Sequence, residues 1–134
     1  VALVAELSGT ADHAKLEKLT YAVDCGIAVH PDQVIAQIEG GAVTGLINAL
    51  RSKVTVRNGR VEQSNFDSFP IPRMPEVPPI EVTLIPSDVR PGGIGEAGVP
   101  LVAPAIANAV FGLTGKRIRS LPLEDAGVTF GLQT

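Results

Sequence analysis

Gly92-Gly93-Ile94-Gly95-Glu96-Ala97-Gly98-Val99-Pro100, running almost directly into Ala103-Pro104-Ala105-Ile106-Ala107-Asn108-Ala109-Val110, decides between two folds. Gly93 to Gly98 satisfies G-x-G-x-x-G, which marks a dinucleotide-binding parallel sheet when it follows a strand at once and opens a helix. Here Pro86 to Pro91 separates the loop from the nearest strand-like run. The acid expected about 20 positions onward to hold a ribose is missing as well, because Lys116, Arg117 and Arg119 occupy that neighbourhood. The stretch reads instead as a glycine loop that sets one carboxylate, Glu96, just ahead of a helix N-terminus, where a side chain is offered to a ligand rather than packed away. A catalytic base is often mounted in this way. The plainer alternative is an acid that serves only the helix dipole, at ~0.3–1 kcal/mol.

Outward from the loop, the spacing predicts a helix from about Ala103 to Leu113. Gly115 should close it with a left-handed cap, and Lys116 and Arg117 should face its negative end. Upstream, Glu81-Val82-Thr83-Leu84-Ile85 alternates as a strand. The segment from Pro70 to Pro100 is dense in proline and should run extended over a surface, because proline lacks a ladder donor and disfavours helix at the residue before it. Val54-Thr55-Val56-Arg57 and Arg60-Val61-Glu62-Gln63 flank Asn58-Gly59, a pair that tolerates positive φ at both turn positions and marks a hairpin.

Pro31 stands where a first helical residue belongs, with Asp32 beside it in the first turn. Val34, Ile35, Ile38, Ala42, Leu46 and Ala49 then recur at helical spacing to about Leu50. Gly40, Gly41 and Gly45 inside that helix each cost up to ~1 kcal/mol relative to alanine, so something should pack closely against a bare backbone there. Leu19 to Asp24 reads as a strand ending at Cys25-Gly26, and Val1-Ala2-Leu3-Val4-Ala5 is a strand-like opening. The order strand, strand, helix, hairpin, strand, helix points to α+β, a mixed sheet with two main helices packed on it.

A length of 134 residues with 45% apolar content suits one domain, residues 1–134, with an ordinary core. The net charge of −3 gives no electrostatic footprint for nucleic acid, and no stretch approaches the ~20 apolar residues of a membrane span. One cysteine, Cys25, excludes an internal disulfide framework; with only His13 and His30 beside it, no metal-ligand cluster of believable spacing is present. Any metal must be held by something other than these side chains. The chain starts at Val1, inside an apolar run, and reads as a piece of a longer polypeptide.

Val23-Asp24-Cys25-Gly26, His30-Pro31, Gln37-Ile38-Glu39-Gly40-Gly41, Gly45-Leu46, Asn65-Phe66-Asp67 with Arg73, Gly93-Ile94-Gly95-Glu96 and Pro104-Ala105-Ile106-Ala107-Asn108-Ala109 occur in one order. In that order they resemble the C-terminal end of molybdenum hydroxylase large subunits. The superfamily is that of xanthine dehydrogenase and aldehyde oxidase, and the branch most resembled is the isoquinoline 1-oxidoreductase beta subunit. The resemblance covers roughly Tyr21 to Leu123, whereas the family's full subunit is several times longer. It implies that the chain is the C-terminal segment of a larger molybdopterin-binding catalytic subunit.

The resemblance also implies roles. Glu96 would be the proton acceptor that arms a water-derived oxygen for attack on an N-heteroaromatic or aldehyde carbon. Gln37 would hydrogen-bond the pterin, and Gly93 and Gly95 would let the backbone approach the cofactor without a Cβ in the way. The implied cofactor is molybdopterin cytosine dinucleotide carrying molybdenum, held by the pterin dithiolene. The implied partners are the remainder of the large subunit and a small subunit whose iron-sulfur clusters take the electrons. Relatives are often exported folded, so the resemblance is compatible with a periplasmic as well as a cytoplasmic home.

A base needs a pKa near working pH. Free glutamate lies near ~4.3, and a dry pocket can raise it by up to ~3–5 units, so Glu96 should be desolvated in the assembled site. Gln37 reads equally as a polar residue on the solvent side of its helix. Asp24 and Cys25 read as structural, an edge carboxylate and a small buried apolar group, and His30 as a helix-start residue. The isolated segment should not turn over, and it should expose apolar surface that invites self-association. Two other classes stay open beside the enzyme: a non-catalytic binding or assembly module of the same architecture, and a dinucleotide-binding domain.

Overall fold

The computed structural model describes residues 1–10 and 13–131. Six strands and two helices follow in chain order: β1 (Ala2–Gly9), β2 (His13–Val23), α1 (Pro31–Leu50), β3 (Val56–Arg57), β4 (Arg60–Val61), β5 (Ile80–Leu84), α2 (Val102–Thr114) and β6 (Thr129–Gly131). Short 3-10 turns lie at Met74–Glu76 and Leu123–Ala126.

β2 is the centre of a mixed sheet. β1 pairs with it antiparallel along one edge, and β5 and β6 pair with it parallel along the other. The register sets Leu3 and Val82 on either side of Tyr21, and Ala5 and Ile80 on either side of Leu19. Because side chains alternate across a strand, these rows face one side together, and all of them join the core. Ala2, Val4, Glu6, Ala22, Glu81 and Thr83 face the other way and are exposed.

β1 runs on to Gly9 and β2 starts back at His13, both longer than the strands read from sequence, and for β2 the cause is a break in its alternation. Glu6 pairs with Lys18 but Leu7 pairs with Leu16, so Glu17 is an extra residue in β2, a β-bulge. It shifts the buried positions from Ala14 and Leu16 to Leu19, Tyr21 and Val23. A single period-two scan therefore sees only the half of β2 after the bulge.

Both helices cover the core face of the sheet, α2 against β1 and α1 against β5, and they pack on each other. α1 spans the residues expected. His30 caps it, its Nδ1 accepting from the Gln33 amide at 3.2 Å, and Pro31 fills its first turn. It buries Ile38, Ala42, Leu46 and Ala49. α2 buries Val102, Ile106 and Val110 at four-residue spacing and ends at Gly115 with φ 72°, the left-handed cap. The basic pair beyond it does not sit on the helix end. Lys116 donates to the Ala126 carbonyl, and Arg117 reaches the Asn108 amide oxygen while stacking 3.6 Å over the Phe111 ring.

The hairpin stands apart from the sheet as a two-stranded ribbon, with Asn58 at φ 51° and Gly59 at φ 76°. β6 had no counterpart in the sequence reading, since three residues are too few to show a period. No helix among the described residues is long and apolar enough to cross a membrane.

Candidate functional site

Three backbone hydrogen bonds tie the end of β2 to the chain entering the glycine loop. The Ile85 amide donates to the Val23 carbonyl at 2.8 Å, Ile27 to Val89 at 3.0 Å and Gly92 to Cys25 at 2.8 Å. Gly26 makes this approach possible: at φ +73°, a Cβ there would stand 2.4 Å from the Arg90 carbonyl oxygen. Asp24 accepts from the Gly26 amide at 3.0 Å, the structural role expected of it. Cys25 is half-buried rather than fully buried.

Past Gly95 the chain folds into a tight turn, with the Val99 amide donating to the Glu96 carbonyl at 3.0 Å. α2 begins only at Val102, so the loop does not open the helix in the way a dinucleotide fingerprint requires. The turn lies on α1. A Cβ added to Gly41 would meet the Gly98 Cα at 3.1 Å, and one added to Gly98 would meet the Ile38 carbonyl oxygen at 2.7 Å. Gly45 meets the start of α2 in the same way, its added Cβ falling 2.5 Å from Val102 Cγ2. The close packing expected against the helical glycines is thus present at Gly41 and Gly45. At Gly40 it is not: an added Cβ there would have no atom within 4 Å.

Gly40 faces a cleft instead. The cleft holds about 640 Å³ and is lined by Gln37, Gly40, Gly41 and Thr44 from α1 and by Gly95, Glu96, Val99 and Pro100 from the loop. Three of the residues singled out in sequence, Glu96, Gln37 and Gly95, therefore line one opening. Gly93 does not line this cleft and lies in the exposed approach to it. Gln37 also lines a neighbouring hollow of about 300 Å³ with Cys25, His30 and Ile94.

Glu96 is the one ionisable residue lining the cleft, and none of the ion pairs among the described residues involves it. The dry surroundings expected for it are not supplied by the described residues, because Glu96 is exposed. Thr44, Val99 and Pro100 completed the lining without any sequence mark.

Among the described residues, no close contact and no left-handed backbone calls for glycine at 93 or 95. Neither has positive φ, and a Cβ on either would meet no atom within 4 Å. Bare backbone at such positions leaves room for close approach by another group, and Gly95 lies at the cleft. Among the described residues, no three His, Cys, Asp or Glu side chains come together as metal ligands. The polar side chains lining the cleft are the Gln37 amide, the Thr44 hydroxyl and the Glu96 carboxylate, groups that can hydrogen-bond an organic molecule.

Comparison with known proteins gives this geometry a context. A family model described as a molybdopterin cofactor-binding domain matches residues 4–78. The chain is 40% identical over 128 residues to the isoquinoline 1-oxidoreductase subunit beta of Brevundimonas diminuta, covering 94% of this chain and 16% of that one. It is 38% identical to the membrane-bound aldehyde dehydrogenase [pyrroloquinoline-quinone] of Gluconacetobacter polyoxogenes, covering 87% and 15%. Among solved structures, quinoline 2-oxidoreductase from Pseudomonas putida 86 superposes with a TM-score of 0.69 at 24% identity, over 82% of this chain and 15% of that one. The last shows a shared fold. The chain spans about a sixth of the length of these curated relatives.

Proposed function

The chain belongs to the molybdopterin cofactor-binding domain family, and from that premise we propose that it is the C-terminal, base-bearing segment of the catalytic subunit of a molybdenum hydroxylase. Its substrates are N-heteroaromatic compounds or aldehydes, oxidised with oxygen from water. One observation carries this reading: Glu96 and Gln37, from elements far apart in sequence, line a single cleft beside the bare backbone of Gly95. The fit extends to the residue chemistry. The Gln37 amide can donate and accept at a pterin edge, and Gly95 leaves the cofactor room against the loop.

The bound cofactor, proposed as the cytosine dinucleotide form, supplies the two-electron redox chemistry. This chain supplies the proton acceptor. The Glu96 carboxylate takes the proton released as the water-derived oxygen attacks carbon, a contribution of about 10²–10⁴-fold for a positioned base. Val99 and Pro100 form an apolar side of the cleft beside it. The remaining large-subunit protein closes the open side and desolvates Glu96, and a small subunit with iron-sulfur clusters carries the electrons away.

The test uses the purified full-length complex. Glu96→Gln should keep its molybdenum and lose turnover, whereas Gly95→Val should lose molybdenum on purification. A Gly95→Val complex with full metal and normal turnover would remove the cofactor from this cleft. A metal-replete Glu96→Gln complex that still turns over would favour the non-catalytic assembly role.

A further inference from the structure

We infer that Tyr21 is a positioning residue for the Glu96 turn: its hydroxyl, donated to the Gly98 carbonyl, and the backbone contact of Gly98 with Gly41 together hold Glu96 over the cleft. The inference rests on the reading of Glu96 as base.

Tyr21 lies near the C-terminal end of β2, the central strand, fully buried, with Leu3 and Val82 paired on either side. It is therefore fixed to the most constrained strand of the sheet. Its hydroxyl reaches out of that layer to the Gly98 carbonyl oxygen at 2.8 Å, a buried hydrogen bond across 77 residues of sequence. Burial pushes the hydroxyl up to about 12, so it stays protonated and donating at neutral pH.

Gly98 is the third residue of the turn that starts at Glu96, closed by the Val99 amide on the Glu96 carbonyl. The turn is thus held from two directions, from the sheet by Tyr21 and from α1 by the Gly41 contact. Glu96 itself is exposed and takes part in none of the ion pairs among the described residues. Its direction then depends on the backbone that carries it.

Removing the Tyr21 hydroxyl leaves a buried carbonyl without a partner, and rotation of the turn toward solvent relieves this. Such a rotation swings Glu96. Misplacement of a catalytic group by about 1 Å is enough to cost ~100-fold in rate.

The experiment is Tyr21→Phe in the full-length holoenzyme complex, alone and combined with Glu96→Gln. Phenylalanine keeps the buried ring. The expected result is unchanged molybdenum content, KM within about twofold of wild type and kcat ~10–100-fold lower. Added to Glu96→Gln, the substitution should lower kcat no further, because it acts through Glu96. A readout independent of turnover is amide hydrogen exchange in the resting enzyme, which should accelerate at Val99 and Val102 while β2 stays protected. Unchanged exchange at Val99 overturns the anchoring, whatever the activity. An equal fractional loss of kcat in both backgrounds overturns the route through Glu96. A fully active Glu96→Gln complex overturns the base reading instead, and the exchange result then judges the anchor by itself. If the Tyr21→Phe subunit does not assemble, Gly41→Ala presses the same turn from α1, with faster exchange at Val99 expected and unchanged exchange there overturning the anchoring.

Discussion

At the scale of single residues, a buried hydroxyl and an exposed carboxylate share one turn and have opposite requirements. Tyr21 must stay neutral, and its folded-state pKa of about 12 lies above the ordinary ~10. Below pH ~10 both folded and unfolded states hold the proton, so stability does not depend on this group. Between pH ~10 and ~12 only the unfolded chain ionises it, binds fewer protons and gains, so stability falls by about 2–3 kcal/mol across the window. The urea midpoint of the full-length subunit should drop across that range, and Tyr21→Phe should flatten the drop. Equal slopes in the two proteins would place Tyr21 outside this linkage. Glu96 and Gln37 drew notice in sequence because each stands in a glycine-rich string that carries the family resemblance, and the structure sets both on one cleft. Tyr21 drew none, because its partner is a backbone carbonyl, and such a bond leaves no mark on residue type at Gly98.

At the scale of elements, the two helices cross where side chains are missing. Gly45→Ala would set a methyl group 2.8 Å from the Val99 carbonyl oxygen and closer still to the Val102 side chain. Overpacking of this kind costs ~1–3 kcal/mol, more than the up to ~1 kcal/mol gained in helix propensity. Gly40→Ala on the same helix meets nothing within 4 Å, so the propensity gain of ~0.5–1 kcal/mol should appear undiminished. Denaturant melts of the two cofactor-free variants should therefore shift in opposite directions, and shifts of like sign would contradict the packing. The glycines announced a close contact from sequence alone. Which of them made it could not be read, because that depends on where the Gly98 turn docks. The helices were legible to within a residue or so, since their caps, His30-Pro31 and Gly115, lie at their ends. β2 was legible only from Leu19 onward, since the bulge at Glu17 breaks its alternation.

At the scale of the whole molecule, one core joins sheet and helices, while the stretch around the hairpin and the proline-rich connection packs little apolar surface. Val54, Val56, Val61, Phe66 and Met74 are all largely exposed, Met74 at 89%. An exposed apolar surface of this kind favours association. The isolated 134-residue chain should self-associate in sedimentation velocity runs, and Phe66→Ser with Met74→Ser should shift it toward monomer. A strictly monomeric parent chain would contradict this.

The central claim is that Glu96 accepts the proton in the oxidation step. It is tested most directly by the rate at which substrate reduces the metal-replete full-length complex in a single turnover, with electron exit out of play. Glu96→Gln should slow that reduction by at least ~100-fold at unchanged substrate affinity. Reduction within a few-fold of the wild-type rate would contradict the account.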